Sequence, residues 1–128
     1  MPVTVYICDD VPELRAVMHS TLEAEGDIEV VGQAGEAVTG IEEIAELQPD
    51  VVLLDLAMPG MDGLEALPRI ERVAPRSGVI VFSGFLGARM EAVARASGAD
   101  RYVEKGSPLD ELRTMVLELA AELDATRA

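Results

Sequence analysis

The chain has no tryptophan, and two tyrosines and two phenylalanines are its only aromatics, 3% of 128 residues. Apolar residues still make up 49%, so the core must be aliphatic, built from Val, Leu, Ile, Ala and Met. A single cysteine, Cys8, excludes an intramolecular disulfide. Its place inside an apolar run reads as a buried structural thiol. No apolar stretch approaches the roughly 18 residues of a membrane span. The start, Met1-Pro2-Val3-Thr4, carries neither a basic nor a hydrophobic leader region. Basic residues are scarce too: ten Lys and Arg stand against 24 Asp and Glu, for a formal net charge of −14. So acidic a surface repels phosphate backbones and anionic lipid, which excludes nucleic acid and membrane as expected direct partners of this domain. Cations and basic partner surfaces are favoured, although simple solubility accounts for most of the charge. The expected setting is cytoplasmic, and the length fits a single domain over residues 1–128.

What is present is a strict alternation of strand-like and helix-like segments. Residues 3–8 are apolar and β-rich and end at Asp9-Asp10. A helix is expected over 12–25, opened by Pro12 and stopped by Gly26, with Leu14, Val17, Met18 and Leu22 at helical spacing. A second strand is expected over 28–31, and a second helix over 39–47 with Ile41, Ile44 and Ala45 as its stripe. Residues 51–54 form a continuous aliphatic run, which implies burial on both faces of a parallel sheet. Pro59-Gly60 and Asp62-Gly63 mark a loop. The third helix, 64–73, contains Pro68, which predicts a late start or a kink. Strands over 79–82 and 101–104 flank a weak helix over 86–97 with Met90, Val93 and Ala94 as its stripe. The last helix has Ser107 as its expected N-cap and Pro108 in its first turn. Leu109, Leu112, Val116, Leu119 and Leu123 form its apolar face. Five strand–helix pairs in this order predict a parallel α/β sheet with helices on both faces.

The chemistry gathers at one edge. Asp9 and Asp10 follow the first strand, Asp55 the third, Ser83 the fourth and Lys105 the fifth. Open parallel sheets bind ligands outside the carboxyl ends of their strands, so these residues are expected to converge. Three neighbouring carboxylates repel one another unless a cation shares the site, and Mg²⁺ is a small hard cation suited to oxygen ligands. Lys105 is the one lysine, all other basic side chains being arginine; it supplies a compact point charge. Ser83 supplies a hydroxyl donor. Such a set suits phosphoryl transfer with a carboxylate as nucleophile. Taken singly the same residues have plainer readings: Asp9-Asp10 as a helix cap, Ser83 as a turn residue, Tyr102 as a strand aromatic, His19 as a surface residue without a partner.

At these positions the sequence resembles the receiver domain of two-component response regulators, from Val3 to Leu123. The resemblance rests on Asp9-Asp10, on the block from Val51 through Asp55, Ala57, Met58 and Pro59 to Gly63, on Ser83, and on Tyr102 to Lys105. It implies a flavodoxin-like five-stranded sheet in the order 2-1-3-4-5. It implies that Asp55 accepts a phosphoryl group from a histidine of a sensor kinase. Asp10, Asp55 and the backbone carbonyl of Ala57 would ligate Mg²⁺, and Asp9 would act largely through a metal-bound water. Ser83 and Lys105 would hold the phosphoryl oxygens, and Tyr102 would change rotamer as Ser83 moves. The residue after Lys105 is Gly106 where many receivers have proline. Ala57 and Phe85 occupy positions that tune dephosphorylation in the family; neither can orient a water, so slow loss of phosphate is expected.

The ending from Lys105 to Leu112 resembles receivers that precede a helix-turn-helix DNA-binding domain. The expectation is the regulatory half of a transcription factor, with a homodimer on phosphorylation as one possible output. A stand-alone receiver acting by protein contact is the alternative. The output surface stays open between helices one and five and the face formed by the fourth helix, fifth strand and last helix, with Leu117 a candidate contact. An aspartyl-phosphate hydrolase would need a second acid two residues after the nucleophile, where Ala57 stands. A nucleotide-binding fold would need a glycine-rich turn where Asp9-Asp10-Val11-Pro12 stands. The domain is not expected to be an enzyme.

Overall fold

A computed structural model describes residues 1–84 and 88–127. The elements run β1 (Val3–Cys8), α1 (Pro12–Glu23), β2 (Ile28–Ala34), α2 (Ala37–Leu47), β3 (Val51–Leu54), α3 (Gly63–Val73), β4 (Gly78–Ser83), α4 (Ala88–Ala96), β5 (Arg101–Glu104) and α5 (Leu109–Arg127). The five strands are parallel and ordered β2-β1-β3-β4-β5, the flavodoxin-like order.

Successive side chains on a strand point to opposite faces, and this splits the core into two layers. Val5 and Ile7 of β1, Val51 and Leu53 of β3, Ile80 and Phe82 of β4 and Val103 of β5 pack with Met18 and Leu22 of α1 and with Leu112, Val116 and Leu119 of α5. Their neighbours Tyr6, Cys8, Val52, Leu54, Val79 and Val81 pack with Ile44 of α2, Ala66, Leu67 and Ile70 of α3, and Ala94 of α4. Both faces are covered, so the central strands are apolar at nearly every position, Thr4 near the start of β1 and Ser83 at the end of β4 being the polar ones. Tyr6 is wholly buried and its hydroxyl is satisfied by Glu43, 2.6 Å away on α2.

Several boundaries differ from the sequence reading. β2 continues through Gly32 and Gln33 to Ala34, because an edge strand tolerates polar residues on its open side. α2 begins at Ala37. α3 begins at Gly63 and runs through Pro68, so no late start occurs; Asp62 caps it by accepting the Glu65 N–H at 2.9 Å. Val17, Val93 and Ala45 are exposed although their spacing placed them on buried stripes. They lie at the margins of those stripes, where neighbouring positions take up the contact. By the helix bounds, Pro108 and not Ser107 immediately precedes α5. The expected start of the fourth helix at Leu86, with Gly87 nearby, lies outside the described residues. Among the described residues, no helix is long and apolar enough to cross a membrane.

Candidate functional site

Register brings the site together. Cys8 of β1 is level with Leu54 of β3, so Asp9 and Asp55 each leave adjacent strands at the same height. Leu54 is level with Val81, and Ser83 at the end of β4 is level with Glu104, the residue before Lys105. The Asp55 N–H donates to the Cys8 carbonyl at 2.9 Å and the Lys105 N–H to the Ser83 carbonyl at 2.7 Å, which extends the ladders into the loops.

Asp9 and Asp55 are almost fully buried, at 1% and 2% exposure, while Asp10 is exposed at the mouth. One oxygen from each of the three lies within 4.8 Å of the others. Lys105 spans the two buried acids, with Nζ 2.9 Å from Asp9 Oδ2 and 3.0 Å from Asp55 Oδ2. The inner oxygens are taken by the backbone: Val11 donates to Asp9 Oδ1 at 2.9 Å and Ala57 to Asp55 Oδ1 at 3.1 Å. An open cleft of about 360 Å³ lies above, lined by Asp10, Asp55, Ala57, Gly84 and Lys105. A larger cleft, about 570 Å³ between α1 and α5, contains none of these groups.

The electrostatics follow from burial. Burial raises the pKa of Asp55, and the Ala57 N–H and Lys105 only partly offset it, with Asp9 adding to the rise. Burial alone would lower the Lys105 ammonium, but the two carboxylates outweigh it and its pKa is raised. Asp9 Oδ2 is the informative atom. It is buried, and although close to Lys105 it has no partner in hydrogen-bonding geometry. Three acids with oxygens within 4.8 Å of one another, an ammonium shared by only two of them, and a buried Asp9 Oδ2 that accepts no hydrogen bond fit a small hard cation.

Lys105→Ala should therefore make the fold depend on a divalent cation. Breaking a buried ion pair costs about 3–5 kcal/mol, and we expect about 2 kcal/mol here because Lys105 is 24% exposed. Thermal denaturation in chelator and then in excess Mg²⁺ measures this; a variant as stable as wild type in chelator would refute it.

Ser83 is fully buried, and its hydroxyl is hydrogen-bonded to Tyr102. Tyr102 is half-buried and packs against the layer that contains Ala94 and Met90. Burial raises its phenol pKa and the Ser83 bond opposes the rise. The expected site residues thus all gather at one edge, with Ser83 and Tyr102 coupled beside the carboxylates. Phe85 lies outside the described residues. His19 has partners the sequence did not suggest, Glu23 at 3.1 Å and Gln33 at 3.4 Å.

Two residues of the site went unread. Gly63 lies directly beneath the Asp55–Leu56 backbone; its pairing with Asp62 read only as a loop. Arg15 donates to the main-chain carbonyl of Asp9; its position one turn into α1 after the acidic pair was the available signal.

Comparison with known proteins gives a consistent picture. Residues 5–117 match the family described as the response regulator receiver domain. The nitrate/nitrite response regulator protein NarL of Escherichia coli K12 is 36% identical over 128 residues, covering 99% of this chain and 59% of that protein. A protein-glutamate methylesterase/protein-glutamine glutaminase of Agrobacterium fabrum is 41% identical over 107 residues, covering 83% of this chain but 30% of the enzyme. Among solved structures, the signal receiver domain of a NarL response regulator from Mycobacterium tuberculosis superimposes with a TM-score of 0.88 at 31% identity, covering 94% of this chain and 97% of that one. The chain thus spans 59% and 30% of the length of these two curated relatives, less than two thirds of either.

Proposed function

Since this chain belongs to the response regulator receiver domain family, we propose that it is a phosphorylation-operated switch in which Asp55 accepts a phosphoryl group from the phosphohistidine of a sensor kinase. The observation that carries this reading is the Lys105 ammonium bridging Asp9 and Asp55 beneath an open cleft. Asp9, Asp10, Asp55 and the Ala57 carbonyl would hold Mg²⁺, which when bound neutralises the charge of the incoming phosphoryl oxygens.

The residues divide the work. The Asp55 carboxylate attacks phosphorus; the P–N bond to the kinase histidine breaks, an acyl phosphate forms, and the imidazole leaves with the bonding pair. The Ala57 N–H keeps the Asp55 carboxylate turned toward the cleft. Lys105, already at hydrogen-bond distance from Asp55, redirects an ammonium N–H to a phosphoryl oxygen. The new group brings roughly −1.5 to −2 of charge. To reach it, the Ser83 hydroxyl gives up Tyr102, and Tyr102 then repacks against α4. Swinging a two-state element from 1:99 to 99:1 takes about 5.5 kcal/mol, and two or three charge-assisted hydrogen bonds at about 1.5–3 kcal/mol each are of that size.

The longer protein we favour is a DNA-binding transcriptional regulator, as some of the relatives are by name, in which this domain, acting in the cytoplasm, supplies control. The domain turns over no substrate of its own. The test is intact mass after incubation with Mg²⁺ and acetyl phosphate. The chain should gain about 80 Da, one phosphoryl unit, and gain nothing when a chelator replaces Mg²⁺. An adduct indifferent to the metal would overturn the metal assignment, and no adduct at all would overturn the acceptor.

A further inference from the structure

Arg15 lies in the first turn and a half of α1 and folds back over the loop that carries the acidic pair. Its Nη1 donates to the Asp9 carbonyl and its Nε to Gln33 Oε1 at 3.0 Å. Gly35 leaves the room for it, since a Cβ there would lie 3.2 Å from Nη1. Gln33 is steadied in turn by His19, and His19 by Glu23. The guanidinium is therefore fixed between the end of β1 and the end of β2.

The carbonyl it holds belongs to the peptide unit joining Asp9 to Asp10. That unit is planar, so orienting its carbonyl fixes the direction in which the chain delivers Asp10. Every other polar group of Asp9 is already placed. Its N–H donates to Ala34 at 3.0 Å, Oδ1 accepts from Val11, and Oδ2 faces Lys105. Asp10 differs: it is exposed, and among the described residues no side chain holds its carboxylate. Its place within 4.8 Å of the other two acids rests on the backbone alone.

We infer that Arg15 is a positioning residue for the divalent cation, aiming Asp10 at the site through the Asp9–Asp10 peptide without touching metal or phosphoryl group. The inference rests on the metal role proposed above for the three acids. Groups that orient metal ligands change affinity by about 10–100-fold when removed, and the lower end applies to a contact made through backbone.

The experiment is Mn²⁺ titration of the whole chain, followed by water-proton relaxation, with metal-free thermal midpoints recorded for each variant. Arg15→Ala should weaken Mn²⁺ about ten-fold while the chain stays folded. Arg15→Lys can still reach the carbonyl but not Gln33 as well, and should recover most of the loss. An Arg15→Ala affinity within about two-fold of wild type overturns the inference; so does a loss that only tracks the unfolded fraction. A wild type that binds no Mn²⁺, or an Asp10→Asn variant that binds it equally well, brings down the proposed metal site itself and this inference with it.

Discussion

Asp55→Asn is expected to take up no phosphoryl group under conditions in which the wild type is fully modified, and to be the more stable protein at neutral pH without metal. The first effect is one of chemistry. An amide oxygen carries no charge and is no match for a carboxylate as nucleophile, and among the described residues no other carboxylate shares both the Ala57 N–H and the Lys105 ammonium. The second effect follows from burial. The pKa of Asp55 is raised in the folded chain, so its contribution to stability is complete below the unfolded value and is lost as pH rises through the folded one. At neutral pH the ionised group costs stability that Asn, of the same shape, does not. Lys105 keeps Asp9 as partner in the variant. The thermal midpoint of Asp55→Asn should therefore exceed that of wild type by a few degrees in chelator. The gap should close below the ordinary Asp range, where both side chains are neutral, and should narrow in Mg²⁺, which stabilises wild type by mass action. An equal adduct on the variant would mean that Asp55 is not the acceptor. A lower neutral-pH midpoint would mean that the Lys105 contact outweighs desolvation.

Gly63→Ala should cripple the domain by a different route. An added Cβ would lie 2.6 Å from Leu56 Cα, 2.8 Å from the Asp55 carbonyl oxygen and 2.8 Å from Leu56 Cδ2. Two of those three atoms are backbone and cannot swing aside. Gly63 also donates its own N–H to the Leu56 carbonyl at 3.0 Å, so the two segments cannot separate without losing that bond. Overpacking typically costs about 1–3 kcal/mol, and the upper end is expected where backbone is struck. Relief requires the Asp55–Leu56 segment to move, and a misplacement of about 1 Å can slow a positioned reaction on the order of a hundred-fold. Urea denaturation should show a lower midpoint with an unchanged slope. Phosphorylation by acetyl phosphate, measured where the variant is folded, should be slowed by more than the lost stability explains. Wild-type stability and rate in Gly63→Ala would show that the loop accommodates a methyl group and does not brace the acceptor.

The central strands were legible in the sequence because burial on both faces leaves little room for polar residues: 51–54 and 79–82 are uninterrupted apolar runs, and in 3–8 only Thr4, near the strand's start, breaks the run. β2 was cut short because it lies at the sheet edge, where Gly32 and Gln33 sit without cost. Val17, Ala45 and Val93 were misplaced because helical spacing gives a stripe but not its width. Convergence of the site was legible since parallel strands present their carboxyl ends together. What adjacent identical residues cannot reveal is their division of labour. Asp9 points into the core and Asp10 out of it, a difference set by the turn into α1. Gly63 and Arg15 were harder to read because each touches main-chain atoms of the site, whose sequence signal is at most the spacing from the acidic residues.

The division of the core by the sheet has a further consequence for how the molecule comes apart. Among the described residues the two layers form separate clusters on opposite faces of the sheet, so one side can loosen while the other stays shut. α5 is pinned by four buried residues, Leu112, Val116, Leu119 and Ala120. In α4 the described anchors are Ala94, fully buried, and Met90, partly so. Amide protection should accordingly be lowest in α4 and highest where β1, β3 and α5 meet, since local opening begins where little apolar surface is buried. Tyr102 and Ser83 stand at the boundary of that yielding layer, so a change at the acidic edge reaches the part of the chain held in place by the least buried surface.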